Sequence, residues 1–458
     1  MELTAKDLID LDRNNFFHPF SNLNTHEKVG ADIFVGGSKS TLIGANGKKY
    51  LDGIAGLWCV NVGYGEDRMV EAIADQAKKL VYFQALTSYG TDIASIYSAK
   101  LLEIAPKHMS KVFFGSSGSD ANDTVVKLVW YYNNLLGRPN KKKIISRKHG
   151  YHGSTIFAGG LTGFANLHQK FDLPIAWTLH TSSTHPLWDK PAGSTPAEFV
   201  EFLMAELEKL ILAEDPATIA AFIAEPIMAG GGVVPPPPGY FAALQQLLRK
   251  YEILFIADEV VTGFGRTGKM FGTESFSLEP DFIVLAKGIT SGYVPLSAVL
   301  VGEKIWQVIA GESQKNQVFG HGYTYSGHPL AMRAALTNLE IMQDDDLLTQ
   351  VNQNGEFLLS QLQEKFANHS QVGDIRGYGL LAAVEFVKSI DPLKPFPMEI
   401  GVGRRIARAA LENGLIVRPL SESNTLAFSP SFVVTKDELV QMVDIFAKSA
   451  GQVLSDLT

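Results

Sequence analysis

The chain has 458 residues, of which 46% are hydrophobic and 19% charged, and this balance excludes a disordered protein. At roughly 150 residues per domain, the length favours two or three domains. A formal net charge of -8 argues against a nucleic-acid partner. The single cysteine, Cys59, excludes an internal disulfide. Since no cysteine and histidine spacing is typical of a metal centre, we expect no metal.

The N-terminal sequence is acidic and lacks the basic start and apolar core of an export signal. No stretch reaches membrane-spanning length without a charge or a glycine. We therefore expect a cytoplasmic protein that has no membrane partner.

Three regions follow one another along the chain. Residues 1–55 contain a predicted strand pair at 33–35 and 41–43, and we expect them to pack on the C-terminal unit. Residues 56–328 alternate short β-rich apolar runs with helical patterns, which is typical of βα units on a mostly parallel sheet. These runs are residues 111–114, 143–146, 219–224, 253–257, 282–286 and 297–301.

Residues 329–458 change in character. A long helical pattern at 331–342 precedes an extended segment at 380–386 and a further helix after Gly401. The predicted fold class is therefore α/β, with a mostly parallel central sheet in a large domain and a smaller α+β domain.

A glycine-serine loop at 115–119 separates an apolar run from residues with helical spacing. Backbone amides at the start of a helix, with the helix dipole and serine hydroxyls, form a site for a dianionic phosphate. A plain turn between strand and helix is the alternative, because glycine-rich turns are common.

Two apolar runs each end in an acid, Glu225 in one and Asp258 in the other. A buried carboxylate is costly unless it meets a cation or a strong donor. Asp258 suits a pyridine nitrogen, which a charge-assisted bond keeps protonated. An N-cap or a structural salt bridge is the alternative for either acid alone, and Glu259 is expected to point to the other face.

Lys287 follows an apolar run and precedes a glycine. This position puts the lysine at the sheet edge where α/β proteins bind ligands. A partly desolvated lysine has a lowered pKa and forms imines with carbonyl compounds. The alternative is an exposed lysine at the end of a strand.

Together these motifs resemble the class III, or omega, aminotransferases, which are pyridoxal-phosphate enzymes of fold type I. The resemblance rests on FIADEVVTGFGRTG at 255–268 and DFIVLAK at 281–287, and it covers essentially the whole chain. The other matching motifs are YLDG at 50–53, SGSDAN at 117–122, YHG at 151–153, AEP at 224–226 and HGYTYSGHP at 321–329.

The resemblance implies pyridoxal 5'-phosphate as the cofactor. Lys287 then forms the Schiff base with it and moves a proton between the substrate carbon and the cofactor. Asp258 is the partner of the ring nitrogen, and Glu225 supports this network. The remaining implied cofactor residues are Gly118 and Ser119 at the phosphate, Tyr151 and Val260 on the two faces of the ring, and Thr324 at a phosphate across a dimer interface.

Substrate residues are implied by the omega-amine:pyruvate subgroup. Arg418 matches a mobile arginine that binds the carboxylate of an oxo acid and swings away for an amine. A surface ion pair is its alternative. Trp58 and Phe20, with Tyr151, match an aromatic pocket, although large aromatic residues are more often part of a core.

The expected function is transfer of an amino group from an amine or an omega-amino compound to an oxo acid, with pyruvate expected, by a ping-pong Schiff-base mechanism. The expected assembly is a homodimer or a dimer of dimers with sites at the subunit interface. An aminomutase or a decarboxylating transaminase on the same fold remains an alternative. A non-catalytic binding protein that retains the fold is the third possibility.

Overall fold

The computed structural model describes residues 3–312, 318–420 and 424–457. Its strands, in chain order, are β1 (Phe34–Ser38), β2 (Thr41–Gly44), β3 (Lys49–Asp52), β4 (Met109–Gly115), β5 (Lys143–Arg147), β6 (Thr178–Thr181), β7 (Ile219–Ala224), β8 (Leu254–Asp258), β9 (Phe282–Leu285), β10 (Ser297–Gly302), β11 (Val372–Tyr378), β12 (Leu381–Ile390), β13 (Leu393–Pro395), β14 (Leu415–Ile416), β15 (Arg418–Pro419) and β16 (Thr425–Phe428).

Its α-helices, in chain order, are α1 (Ala5–Asn15), α2 (Leu23–Val29), α3 (Ala55–Trp58), α4 (Asp67–Lys79), α5 (Asp92–Ile104), α6 (Gly118–Leu135), α7 (Ile156–Leu161), α8 (Ala165–His168), α9 (Pro196–Ala213), α10 (Tyr240–Lys250), α11 (Gly272–Ser275), α12 (Glu303–Glu312), α13 (Pro329–Asp344), α14 (Leu347–Lys365), α15 (Val402–Glu412) and α16 (Lys436–Ser455). Among these helices, none combines the length and the apolar composition that crossing a bilayer requires.

The largest sheet has the strand order β4-β10-β9-β8-β7-β5-β6. Strand β10 is antiparallel to both of its neighbours, and the other neighbouring strands pair in parallel. The six apolar runs of the sequence form β4, β5, β7, β8, β9 and β10, so the predicted mostly parallel sheet is confirmed. The sequence did not indicate β6, because its residues Thr-Leu-His-Thr are few and mostly polar.

Apolar residues on both faces explain why the central strands are buried along their whole length. Ile256 of β8 belongs to the same buried cluster as Val125 of α6, whereas Phe255 belongs to the cluster of Leu244 on α10. Successive side chains of a strand point to opposite faces, so helices cover both sides of the sheet. In the part of the chain that the structure describes, this packing leaves the strand ends as the place for a ligand.

A second sheet joins the two ends of the chain. Its strand order is β1-β2-β3-β14, and Leu51 of β3 pairs in parallel with Leu415 of β14. The predicted N-terminal strand pair corresponds to β1 and β2. The pairing of β3 with β14 supports the expected packing of residues 1–55 on the C-terminal unit. We retain the division into 1–55, 56–328 and 329–458 as a proposal.

The third sheet belongs to the C-terminal part of the chain. Its strands follow the order β11-β12-β16-β15, and β13 pairs with β12. The predicted extended segment corresponds to β12, and the predicted helices correspond to α13 and α15. This sheet carries Arg418 at the start of β15.

Candidate active site

A cavity of about 590 Å³ lies beside the carboxyl ends of β7, β8 and β9. This volume suits a small-molecule site. The predicted site residues that line the cavity are Phe20, Trp58, Gly118, Ser119, Tyr151, Glu225, Asp258, Val260, Lys287 and Arg418. Thr324 lies outside this lining and is exposed, and its carbonyl accepts a hydrogen bond of 2.6 Å from the Tyr82 hydroxyl. One cavity therefore brings together all the predicted site residues except the one expected to act across an interface.

Lys287 stands two residues beyond the end of β9, where a short 3-10 turn begins. Its φ of 48° lies in the left-handed region. Residues other than glycine adopt this region infrequently, and those that do are often at functional sites. Burial lowers the pKa of the Lys287 amine, against the opposing effect of the carboxylates of Asp258 and Glu225. A lowered pKa leaves more of the amine neutral, which is the form that attacks a carbonyl.

Asp258 ends β8 and is 2% exposed. Its Oδ2 accepts a hydrogen bond of 2.9 Å from Asn122 Nδ2 and lies 2.8 Å from His152 Nδ1. Its Oδ1 accepts from the backbone N–H of Val260 at 3.1 Å. These contacts hold the carboxylate in a fixed orientation at the cavity wall.

Asn122 and His152 also line the cavity, and their roles were not predicted from the sequence. Both stand in motifs that carry the family resemblance, SGSDAN and YHG, yet nothing in their spacing connects them with Asp258. The amide oxygen of Asn122 is buried and has no hydrogen-bond partner among the described residues. A buried acceptor of this kind is usually satisfied, so it is consistent with a polar ligand in the cavity.

Glu225 follows β7 and is 4% exposed. Its Oε1 accepts from the backbone N–H of Tyr151 at 3.0 Å, and its Oε2 accepts from that of Ala229 at 2.9 Å. Burial raises the pKa of Glu225, while these two donors and the charge of His152 favour the ionised form. The acid therefore meets strong donors, as the sequence predicted, and it fixes the backbone that carries Tyr151.

The predicted order of strand, glycine-serine loop and helix is present between β4 and α6. Ser117 is the N-cap of α6, and its side chain and that of Asp120 form a capping box. The first two residues of this 18-residue helix, Gly118 and Ser119, line the cavity. A Cβ atom at Gly118 would come within 3.2 Å of both methyl groups of Val260, so glycine lets the helix start lie close to β8.

Arg418 is far from the cofactor motifs in sequence, in the C-terminal part of the chain, but it lines the same cavity. Its side chain is partly buried, and burial lowers the pKa of its guanidinium. Within residues 3–312, 318–420 and 424–457, no carboxylate forms a salt bridge with Arg418. The alternative of a surface ion pair thus finds no support in the described chain.

The two predicted aromatic residues differ in burial. Trp58 is 4% exposed and belongs to a small buried cluster while it also lines the cavity. Phe20 is 67% exposed, and its ring centroid lies 6.5 Å from that of Tyr151. Phe20 therefore covers the cavity from outside the core, whereas Trp58 belongs both to the buried cluster and to the cavity wall.

Comparisons with known proteins agree on one family for this chain. A family model described as Aminotransferase class-III matches residues 29–449. A diaminobutyrate–2-oxoglutarate transaminase of Halomonas elongata is 43% identical over 462 residues, which cover 99% of this chain and 98% of the relative. Gamma aminobutyrate transaminase 2 of Solanum lycopersicum is 45% identical over 414 residues, which cover 90% of this chain and 89% of the relative.

The fold comparison agrees. The crystal structure of an omega transaminase from Pseudomonas jessenii, in complex with PMP, has a TM-score of 0.95 and 41% sequence identity, and the match covers 98% of both chains. The cavity offers a partly buried amine, a fixed carboxylate and the start of a long helix, which fit the aldehyde, the ring nitrogen and the phosphate of a pyridoxal cofactor. The chain therefore belongs to the class III aminotransferases, which use pyridoxal 5'-phosphate as their cofactor.

Proposed function

We propose that this aminotransferase moves an amino group from an amine or an omega-amino compound to a monocarboxylic oxo acid, with pyruvate as the preferred acceptor. The amine and the oxo acid use the same cavity in turn, in a ping-pong sequence. The observation that carries the proposal is the presence of Arg418, without a carboxylate partner in the described chain, in the same cavity as Lys287.

Pyridoxal phosphate, when bound, supplies an aldehyde that takes up the amine and a ring that accepts electrons from the substrate carbon. We assign to Lys287 the amine that holds the cofactor and moves a proton at the substrate carbon. Its burial and its lowered pKa support this assignment, because a proton carrier must release its proton readily. Asp258 keeps the ring nitrogen protonated, and Asn122 and His152 keep Asp258 in place.

We assign the phosphate to the start of α6. The capping box engages the backbone amides of Ser117 and Asp120, so the amides of Gly118 and Ser119 are the first-turn donors that remain. The helix dipole adds a favourable partial charge for an anion there. Tyr151 and Val260, which also line the cavity, are assigned to the two faces of the ring.

Arg418 and the aromatic residues give the cavity two kinds of wall. The guanidinium binds a carboxylate through two parallel hydrogen bonds, whereas Trp58 and Phe20 offer apolar surface to an amine that has no carboxylate. The exposed position of Phe20 supports its assignment to the entrance of the cavity. One cavity can then accept an oxo acid in one half-reaction and an amine in the other.

The charges of the cavity favour pyruvate over a dicarboxylic acceptor. Of the lysine and arginine residues in the described chain, Lys287 and Arg418 are the ones that line it. Because Lys287 is assigned to the cofactor, Arg418 alone remains for a carboxylate. The Halomonas relative is named for 2-oxoglutarate, which carries two carboxylates, so both acceptors must be compared.

We further propose a homodimer in which Thr324 of each chain reaches the phosphate site of the partner. The exposure of Thr324, and its position outside the cavity of its own chain, support this role. Tyr325 and Leu86, both large and exposed, provide apolar surface for the contact. The cytoplasmic location expected from the sequence stays a prediction.

The half-reactions test the proposal separately. The holoenzyme is mixed with an amine panel, or its aminated form with pyruvate or 2-oxoglutarate, and the cofactor absorbance is followed. Replacement of Arg418 by alanine should slow the pyruvate half-reaction by about 10- to 100-fold, which corresponds to the loss of a charged hydrogen-bond pair. The amine half-reaction should be largely retained.

Arg405 provides the matched control, because its side chain is 40% exposed and its acidic partner, Asp456, lies 3.7 Å away at the surface. Arg405→Ala should leave both half-reactions unchanged. Equal losses in the two half-reactions of Arg418→Ala, or faster turnover of 2-oxoglutarate than of pyruvate by the unaltered enzyme, would remove the basis of the proposal.

A further inference from the structure

A cluster of two histidines and an aspartate lies outside the active site, where α1 packs against α2. Asp12 is in α1, His26 is in α2, and His18 is in the segment that joins the two helices. One ligand atom from each of the three residues lies within 4.8 Å of the other two. All three side chains are partly buried, with exposed fractions of 16% for Asp12, 24% for His18 and 10% for His26.

The internal contacts of this cluster satisfy only two of its members. His18 Nε2 lies 2.9 Å from each carboxylate oxygen of Asp12, so these two side chains are in direct hydrogen-bonding contact. His26 Nε2 is buried and has no hydrogen-bond partner among the described residues, and it lies 3.7 Å from the nearer oxygen of Asp12. A buried ring nitrogen without a partner is unfavourable, because it has lost water and gained nothing in return.

We propose that Asp12, His18 and His26 bind a Zn²⁺ ion. Two imidazole nitrogens and one carboxylate oxygen form a donor set that zinc accepts in proteins, with an open position for water. Bonds of about 2.0 Å in tetrahedral geometry place ligand atoms roughly 3.3 Å apart. The separations in the cluster, from 2.9 Å to at most 4.8 Å, lie on both sides of that value, so small side-chain movements complete the site.

The position of the cluster connects it with the active site. His18 is followed directly by Pro19 and Phe20, and both of these residues line the catalytic cavity. Phe20 has a φ of 52°, in the left-handed region, so its placement depends on how the chain on either side is held. An ion at His18 ties α1 and α2 together and thereby fixes the segment that covers the cavity.

No metal was expected from the sequence, because no cysteine and histidine spacing is typical of a metal centre, and the three proposed ligands follow no zinc motif. Asp12 and His18 are six positions apart and come from different elements. Only the packing of α1 against α2 brings His26 to them. The site is therefore a product of the fold of the N-terminal segment.

The test is zinc binding by holoenzyme without an affinity tag, after treatment with a chelator and removal of free cofactor, which itself binds metals. Isothermal titration with ZnCl₂ should give one ion per chain. His26→Gln, which keeps a polar side chain of similar size, should weaken binding at least tenfold. His369→Ala is the control, because His369 lies in the C-terminal part of the chain against Phe366, and it should bind zinc as the unaltered enzyme does.

Two further measurements make the outcome decisive. With CoCl₂ in place of zinc, visible bands at longer wavelengths than the cofactor band should appear in the unaltered enzyme and be lost in His26→Gln. Hydrogen exchange of residues 5–29 should slow on zinc addition in the unaltered enzyme only, and the cofactor absorbance reports that each variant is folded. Zinc binding that is equal in the unaltered enzyme and in His26→Gln, or absent from both, overturns the proposal.

Discussion

Replacement of Asp258 by asparagine removes the negative charge assigned to the ring nitrogen while it preserves the size of the side chain. Asp258 is 2% exposed, so water cannot replace the missing charge. In the unaltered enzyme the donors of Asn122, His152 and Val260 share the two carboxylate oxygens of Asp258. An asparagine would offer them one acceptor oxygen. Its other terminal atom is an NH₂ group that cannot hold a proton on a pyridine nitrogen.

The magnitude follows from the type of bond that is lost. A hydrogen bond to a charged group contributes about 1.5–3 kcal/mol, and each 1.36 kcal/mol changes a rate about tenfold. The bond alone therefore accounts for roughly 10- to 150-fold in kcat. Loss of the ring proton weakens the electron sink as well, so we expect a fall of at least about 100-fold.

Glu259, the next residue, provides the matched control. It is fully buried, and its carboxylate accepts hydrogen bonds from the backbone N–H groups of Gly272 and Thr273 and from the hydroxyl of Thr262. These contacts are with α11 and the loop before it, so they serve the structure of this region. Glu259→Gln should lower the free energy of unfolding by about 2 kcal/mol, yet leave kcat per bound cofactor unchanged.

Single-turnover kinetics with an amine, normalised to bound cofactor, and urea unfolding of the holoenzymes separate these effects. Asp258→Asn should show slow cofactor conversion with a normal yield of folded protein. Glu259→Gln should show normal cofactor conversion with a lower free energy of unfolding. The assignment of Asp258 is refuted if its asparagine variant converts the cofactor at the original rate, or if both variants slow conversion equally.

Two more predictions concern titratable groups. Because burial lowers the pKa of Lys287, this amine in the apoprotein should be acylated at a lower pH than surface lysines, as peptide mass spectrometry over a pH series will show. Asp258→Asn should move its reaction lower still, since the Asp258 charge raises that pKa. Burial of Glu385 raises its pKa, but a hydrogen bond from His185 and the charge of a neighbouring arginine overcome this and hold the pKa at about 2. The stabilisation, about 3 kcal/mol, is full above pH 4.5 and disappears as the pH falls toward 2, so Glu385→Gln should flatten the dependence of unfolding on pH in this window.

The sequence was informative where an ionisable residue stands at the end of a strand or just after it. A continuous apolar run predicts a buried strand, and a charged residue at its end has to meet a partner, so Glu225, Asp258 and Lys287 stood out locally. These three residues line one cavity because β7, β8 and β9 are parallel neighbours. The parallel arrangement was itself predicted from the alternation of strands and helices.

The partners of those residues were harder to find, because the contacts are distant in sequence. Asn122 and Asp258 are 136 positions apart, and His152 and Asp258 are 106 positions apart. An asparagine in a helix and a histidine in a loop carry no signal of their own, since both residue types are common on surfaces. Only the packing of α6 and of the loop after β5 against β8 brings them to the carboxylate.

The C-terminal part of the chain contributes to the cofactor side of the cavity as well as to the substrate side. Arg376 of β11 donates from Nε to the carbonyl of Gly232 at 2.7 Å, and its Nη1 pairs with Glu385 at 2.7 Å. Gly232 follows closely after Ala229, whose N–H binds the carboxylate of Glu225. Gly232 has a φ of 130°, which L side chains rarely adopt, and a Cβ atom there would lie 2.7 Å from Arg376 Nη2, so glycine suits this approach.

The same C-terminal sheet that carries Arg418 therefore also supports the loop that holds Glu225. A displacement of this sheet would move the Arg418 guanidinium and the loop that holds Glu225 together. In the proposed mechanism the cofactor network serves both half-reactions and Arg418 serves the oxo-acid half, so a common support keeps the backbone of Arg418 in place relative to that network while its side chain moves. This coupling depends on the backbone carbonyl of Gly232 and on a buried arginine, neither of which a sequence pattern identifies.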